Sequence, residues 1–240
     1  MTGELRQQID AVVLDVGGVF VVPHPGPVSA ALAPHGIRID PARIELAHYV
    51  AVGALDECSC PDFGHACYLA AFARALGVEA HDLERATDDL LMLWTQPSLG
   101  RWTWHVPGSR DALRQLVEAG HTVAILSNSD GTVEAQLREL GICQVGAGHG
   151  APVCAIADST VVGIAKPDPR IFHHVAEAIG VAPDRCLYVG DTVRYDVLGA
   201  RAAGFHPYHF DPHGLCRSSD AHPHLRSLAE VASLVEISSA

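Results

Sequence analysis

The sequence predicts a doubly wound, Rossmann-like α/β fold interrupted by a helical insert. Three observations predict it: short apolar runs that stop in polar or glycine residues, helical patterns alternating with those runs, and one long stretch carrying helical patterns alone. The first run, residues 11–14, ends in Asp15-Val16-Gly17-Gly18. The second, residues 122–126, ends in Ser127-Asn128-Ser129, and the third, residues 186–189, ends in Gly190-Asp191-Thr192. Runs of this length, rich in Val, Ile and Leu, read as strands buried on both faces, which belong to parallel sheets covered by helices. Between them, Ser109 is placed to cap a helix with Leu113, Leu116 and Val117 on one face and Gly120 at its end. Val133, Leu137 and Leu140 mark a second helix, and Ile171, Phe172, Val175 and Ile179 a third that stops at Gly180. Val197 and Ala200 fall in a short helix closed by Gly204; a strand at 208–210 and a helix near 225–235 complete the core.

Residues 22–103 read as an all-helical insert, leaving 1–21 and 104–240 for the α/β core. Asp40 caps and Pro41 opens one helix, which buries Ile44, Ala47 and Val50. A second helix, 61–76, puts Phe63, Ala66, Ala70 and Ala73 on one face, and a third covers 81–94.

Composition narrows the function. The 240 residues include 16 basic and 28 acidic ones, a formal net charge of −12, which argues against nucleic acid or a membrane surface as partner. No apolar run approaches the roughly 18 residues of a spanning helix, and the polar first ten residues lack the core of an export signal, so a cytoplasmic protein is expected. The 7 cysteines, an odd number without a regular framework, read as reduced thiols. Lys166 is the only lysine in a chain that otherwise uses arginine, which points to a need for that particular ammonium.

Open parallel sheets bind ligands beyond the carboxyl ends of their strands. Asp15, Ser127 and Asp191 all fall there, and Lys166 sits in a loop just before a helix. Two carboxylates at one site repel unless a cation lies between them, and oxygen donors with room for water favour Mg²⁺. A hydroxyl, an ammonium and free backbone N–H groups favour phosphate.

These residues resemble the haloacid dehalogenase-like (HAD) hydrolase superfamily, whose four motifs appear in order between residues 12 and 204. Asp15-Val-Gly-Gly-Val resembles the nucleophile motif, Ile125-Leu-Ser127-Asn128 the second, Lys166-Pro-Asp-Pro the third and Gly190-Asp191-Thr-Val-Arg-Tyr-Asp196 the acidic fourth. The helical insert resembles the cap domain that follows the first motif in one branch of phosphatases. The resemblance implies a Mg²⁺-dependent phosphatase acting on a small phosphorylated metabolite through an aspartyl-phosphate on Asp15. It implies a metal held by Asp15, the Gly17 carbonyl and Asp191, with Asp196 as an outer carboxylate. It further implies phosphoryl oxygens met by the backbone of Val16 and Gly17, by Ser127, by the Asn128 N–H and by Lys166.

The pattern departs at Gly17, where most phosphatases of the family carry a second aspartate that protonates the leaving group. Positioned acid–base groups contribute roughly 10²–10⁴ in rate. Three outcomes follow: substrates with good leaving groups, a substitute acid such as His24 or His105, or weak turnover. An intact fourth motif argues against a metal-free 2-haloacid dehalogenase. The absence of lysine from the insert argues against a phosphonate-cleaving relative. A binding or regulatory module with decayed catalysis is the reading from another class, with Gly17 as its trace. Two Cys/His clusters, Cys58/Cys60/His65/Cys67 and His206/His209/His213/Cys216/His222/His224, lack the Cys-x-x-Cys spacing of structural zinc and read as packing or surface positions. Trp94, Trp102 and Trp104 read as core near the insert's exit. The insert's polar residues His48, Tyr49, Asp56, Glu57 and His65 form no recognisable substrate code.

Overall fold

A computed structural model of the chain describes residues 9–58, 65–95 and 101–235. The first strand, β1 (Ala11–Leu14), leads through a tight loop to β2 (Val21–Pro23). Helices α1 (Pro25–Leu32), α2 (Ala42–Glu57), α3 (His65–Ala75) and α4 (Leu83–Trp94) follow, and β3 (Trp102–His105) returns the chain. The remainder alternates α5 (Ser109–Glu118), β4 (Thr122–Ser127), α6 (Val133–Glu139), β5 (Cys143–Val145), β6 (Ala151–Val153), β7 (Ala155–Asp158), α7 (Ser159–Val162), α8 (Pro169–Ile179) and β8 (Cys186–Gly190). After a π-helical turn at Val193–Val197 come α9 (Leu198–Ala202), β9 (His206–Phe210), β10 (His224–Leu225) and α10 (Val231–Leu234).

Six strands form one sheet in the order β10-β9-β8-β1-β4-β7, and every neighbouring pair is parallel. From β1 the chain winds outward through β4 and β7 on one side, then through β8, β9 and β10 on the other. The strand order therefore reverses between β1 and β8, and the crevice beyond that point is where such sheets bind ligands. Alternate residues of the central strands enter two separate cores. Val13, Ala124, Leu126 and Tyr188 pack under α8 through Ile171, Phe172 and Val175. Val12, Leu14, Ile125 and Val189 face the other way, toward Leu113 and Leu116 of α5 and a core that continues into the helical segment. Burial on both faces is what made these strands continuous apolar runs in the sequence.

Several local expectations are corrected. The stretch 22–103 is not purely helical, because β2 pairs antiparallel with β3 where the chain leaves and re-enters the core. Val50 on α2 is exposed, while Ile44 and Ala47 are buried. In α3 the buried face is Tyr68, Leu69, Phe72 and Ala73, and Ala66 lies at the surface; Phe63 and Cys60 lie outside the described residues. The aromatic and leucine side chains remove more apolar area from water than the alanines, so they set the face. Ser109 is the first residue of α5 rather than its cap, which is Gly108 at φ 77°. The cap of α2 is Pro41 rather than Asp40, whose carboxylate instead accepts the Ala42 N–H at 3.0 Å from one residue further out. Cys58 and Cys67 are not free thiols: the α2–α3 connection brings their Cα atoms to 6.4 Å and a disulfide joins them. Among the described residues, no helix is long and apolar enough to cross a membrane.

Candidate active site

Because β1 lies between β8 and β4, Asp15, Asp191 and Ser127 meet at the carboxyl edge of the three central strands. All three are buried, and with Lys166 they line a cavity of about 510 Å³ that also reaches Val16, Gly17 and Asn128. The sequence-based constellation is thus brought together as a whole.

The Lys166 backbone is pinned to the loop that follows β4. The Asn128 side chain accepts the Lys166 N–H at 2.8 Å and donates to its carbonyl at 3.0 Å. Nζ then lies 2.9 Å from Asp15 Oδ1 and 2.7 Å from Asp196 Oδ1, and donates to the Tyr188 hydroxyl at 3.0 Å. Asp196 is saturated: its Oδ1 also accepts the Tyr188 O–H at 2.8 Å, and its Oδ2 accepts the Thr192 N–H at 3.0 Å and hydroxyl at 2.5 Å. Asp196 therefore holds the Lys166 ammonium in place. Gly190 is needed for this packing, since a Cβ there would come within 2.3 Å of the Asp196 carboxyl carbon.

Three carboxylates, Asp15, Asp191 and Asp196, place oxygens within 4.8 Å of one another, and Lys166 supplies one positive charge against them. Burial pushes Asp15 up to about 7, with Lys166 opposing and the neighbouring carboxylates adding to the rise. Burial likewise raises Asp191 well above the ordinary carboxylate range, reinforced by Asp196. Burial also penalises the Asp196 charge, but Lys166 and the hydroxyl bonds outweigh it and hold Asp196 low. For Lys166, Asp15 and Asp196 outweigh desolvation and keep the ammonium charged. The excess negative charge, presented by oxygen atoms alone, fits a hard divalent cation such as Mg²⁺. Asp15, Asp191 and the Gly17 carbonyl are the groups that would hold it.

The helical segment reaches the same site through contacts the sequence did not reveal. His48 on α2 places Nε2 2.9 Å from Asp191 Oδ2, and its Nδ1 lies 2.8 Å from the Tyr68 hydroxyl on α3. Burial drives His48 down to about 3, so the ring is neutral and cannot serve as the missing acid at neutral pH. Tyr49 donates to the Gly18 carbonyl at 2.5 Å, and Asp56 accepts the N–H groups of Val193 and Arg194, both at 2.9 Å. His65 lines the cavity, whereas Glu57 lines a separate one of about 370 Å³ on the far side of Asp191.

Gly17 and Gly18 differ sharply. Gly18 has φ +67°, and a Cβ there would stand 2.0 Å from Asp191 Oδ2 and 2.7 Å from His48 Nε2. Gly17 has no such backbone constraint, and its nearest neighbour would be the Trp102 ring at 3.5 Å, an ordinary contact. Neither substitute acid is at hand: His24 caps α1 by accepting the Gly26 N–H, His105 is exposed, and neither lines the cavity. Trp94 and Trp102 do line it, while Trp104 stacks its edge on His24.

Arg101 is the least expected member. Its residue is 7% exposed and lines the cavity, yet its Nε has no hydrogen-bond partner. Its Nη1 donates to the Trp94 carbonyl at 3.0 Å, and the guanidinium lies 5.3 Å from the Trp94 ring centre. No carboxylate lies within ion-pair distance of it among the described residues.

A parallel sheet with an aspartate at its switch point, beside a lysine and two further carboxylates, has the layout of an α/β enzyme site. The chain belongs to the haloacid dehalogenase-like hydrolases, whose family profile matches residues 9–204. Phosphatase MT3486 from Mycobacterium tuberculosis is 36% identical over 111 residues, covering 46% of this chain and 48% of that protein. Phosphoserine phosphatase from Thermus thermophilus is 36% identical over 120 residues, covering 50% of this chain and 46% of that protein. The chain thus aligns with about half the length of these curated relatives. Its fold is that of the magnesium-bound HAD-hydrolase YfnB from Bacillus subtilis, at TM-score 0.62 and 16% identity, with 96% of this chain and 100% of that one covered. The L-2-haloacid dehalogenase from Xanthobacter autotrophicus superposes at TM-score 0.58 and 20% identity, with 95% and 98% covered.

Proposed function

We propose that the protein is a Mg²⁺-dependent phosphatase of small phosphate monoesters, acting through an aspartyl-phosphate on Asp15. The observation that carries this reading is the convergence of Asp15, Ser127, Lys166 and Asp191 on one cavity, with carboxylate charge in excess of the single ammonium. In the first step an Asp15 carboxylate oxygen bonds to phosphorus as the bond to the leaving oxygen breaks, and the leaving group takes its proton from solvent. In the second, water attacks the same phosphorus, phosphate departs and the Asp15 carboxylate is regenerated. Lys166 and the Ser127 hydroxyl neutralise charge on the phosphoryl oxygens, and Asp196 with Tyr188 keeps Lys166 aimed. A bound divalent ion would let two buried carboxylates stand ionised together and would screen the dianionic phosphate from them. The helical segment serves as the cap, with its α2 side chains fixing Asp191 and the loop after it.

Gly17 removes the aspartate that would protonate the leaving group, so the best substrates have good leaving groups, such as acyl, aryl or anomeric phosphates. Arg101 supports a second feature: a buried cation with no carboxylate in ion-pair distance among the described residues, and with Asp130 acting on it only from farther off, fits a carboxylate or phosphate at the far end of the substrate. Phosphate release from an aryl phosphate, with Mg²⁺ and with chelator, tests the reading; activity that survives chelation, or that Asp15→Asn retains within tenfold, overturns it. Arg101→Gln should slow esters bearing a second anionic group by about 10–100-fold while sparing a plain aryl phosphate. The dehalogenase chemistry of some fold relatives has no use for Asp191 beside the nucleophile. Metal-independent halide release from a 2-haloacid would restore that alternative, and tight binding of fluoroberyllate with no turnover would favour a binding module.

A further inference from the structure

The second Cys/His cluster, which its spacing did not mark as a metal site, is assembled by the fold. His209 comes from β9, Cys216 from the loop that follows, and His222 and His224 flank Pro223 at the entry to β10. One ligand atom from each lies within 4.8 Å of the others.

The hydrogen bonds fix two of the imidazole tautomers. His209 Nε2 lies 2.8 Å from the Asp191 carbonyl, and His222 Nδ1 lies 2.6 Å from the Asp220 carbonyl. A carbonyl oxygen only accepts, so each of those nitrogens carries the proton and the other ring nitrogen carries a lone pair. The two remaining nitrogens, His209 Nδ1 and His222 Nε2, face each other at 3.1 Å. Two lone pairs at that distance repel unless a proton or a metal ion lies between them. Cys216 Sγ stands 3.6 Å from the same His222 Nε2. Zinc bonds of about 2.05 Å to nitrogen and 2.3 Å to sulfur, at tetrahedral angles, place two nitrogens about 3.3 Å apart and nitrogen and sulfur about 3.6 Å apart. Both observed separations sit close to those values. His224 stacks on His222 with ring centres 4.6 Å apart, and its Nδ1 lies 3.4 Å from Asp211 Oδ2. Asp211 also accepts the N–H groups of Leu215 and Cys216 at 2.8 and 3.3 Å, which fixes the loop that presents the thiol.

We infer that His209, Cys216, His222 and His224 form a structural zinc site. Four protein ligands close the coordination sphere, as in sites that hold structure rather than activate water. Nitrogen and sulfur donors separate it from the all-oxygen cluster around Asp15 and Asp191. The site ties β9, the connection across residues 211–223 and β10 together, and the outer N–H of His209 reaches the backbone of Asp191.

The test is metal content and cobalt spectroscopy of the full chain. Wild-type protein incubated with zinc and dialysed against a weak chelator should retain one zinc per chain. Replacement by Co²⁺ should give a thiolate-to-metal charge-transfer band, which Cys216→Ser abolishes. His222→Gln and the exposed-ligand variant His224→Gln should each weaken zinc retention by about tenfold or more. Asp15→Asn should keep the full complement, separating this site from the carboxylate cluster. A wild-type chain that retains no zinc and gives no cobalt–thiolate band overturns the inference, with a proton shared between His209 and His222 left as the occupant. Full retention by a Cys216→Ser, His222→Gln double variant overturns it equally, because the zinc would then be bound elsewhere. Removal of zinc should lower the thermal midpoint, and an unchanged midpoint would remove the structural role.

Discussion

Asp191 separates two clusters of opposite chemistry. Its carboxylate faces Asp15 and Asp196, a buried group of oxygens carrying more negative charge than Lys166 offsets. Its carbonyl faces His209 and the imidazoles and thiol beyond it. The first cluster suits a hard ion that shares its coordination with water and substrate, and the second suits a borderline ion enclosed by protein. One residue thus joins a site built for exchange to a site built for permanence. On the proposed reading function lies on the carboxylate side, where a bound cation and a phosphate would answer the charge imbalance.

Ways to break that contrast can be ordered by expected effect. Lys166→Met leaves Asp15 and Asp196 buried without their cation, which should cost about 3–5 kcal/mol of stability at neutral pH without metal, read by urea unfolding. A loss under about 1 kcal/mol would mean that the carboxylates are not sharing that charge. His48→Phe removes the ring nitrogen beside Asp191 Oδ2 and should raise the Mg²⁺ concentration for half-maximal activity by about 10–100-fold. The same variant should leave zinc retention unchanged. Gly17→Asp fits without backbone strain and should raise kcat on alkyl phosphates, which need an acid, by up to about 10²-fold while barely changing aryl phosphates. A uniform loss across both classes would show that an aspartate cannot be seated against the Trp102 ring.

The smallest effect is a pH dependence of stability. Burial raises Asp15 and Asp56 from 3.8 to about 7, so the folded chain holds protons that the unfolded chain releases. Their contribution is complete below the unfolded value and is lost as pH rises through about 7. His48, driven down to about 3 by burial, acts in the opposite direction, but only below about pH 6.5. Between about pH 6.5 and 8 the metal-free midpoint of thermal unfolding should therefore fall, and Mg²⁺ should reduce the fall. A flat profile without metal would show that the carboxylates are already balanced.

The sequence revealed the carboxylate side far better than the histidine side, for physical reasons. Strands buried on both faces must be apolar throughout, so β1, β4 and β8 stood out, and the polar residue ending each one was a site residue. Lys166 was conspicuous as the only lysine. The contacts made by α2 were hidden because they are long-range: His48 and Asp191 are 143 positions apart and share no pattern. The face of α3 was misjudged because alanine fits either side of a helix, whereas Tyr68 and Phe72 had to be buried. β2 was missed because a three-residue strand ending in Pro23 gives no alternation to detect, and its partner β3 is only four residues long. The zinc ligands come from a strand, a loop and a His-Pro-His step, so no fixed spacing links them.

The most direct measurement is rapid quenching of the enzyme during turnover of a phosphoryl-labelled aryl phosphate with Mg²⁺, followed by peptide mapping. The account predicts a hydroxylamine-sensitive label on the peptide containing Asp15, absent from Asp15→Asn. Turnover with the label on another residue, or with no labelled peptide at any quench time, would contradict it.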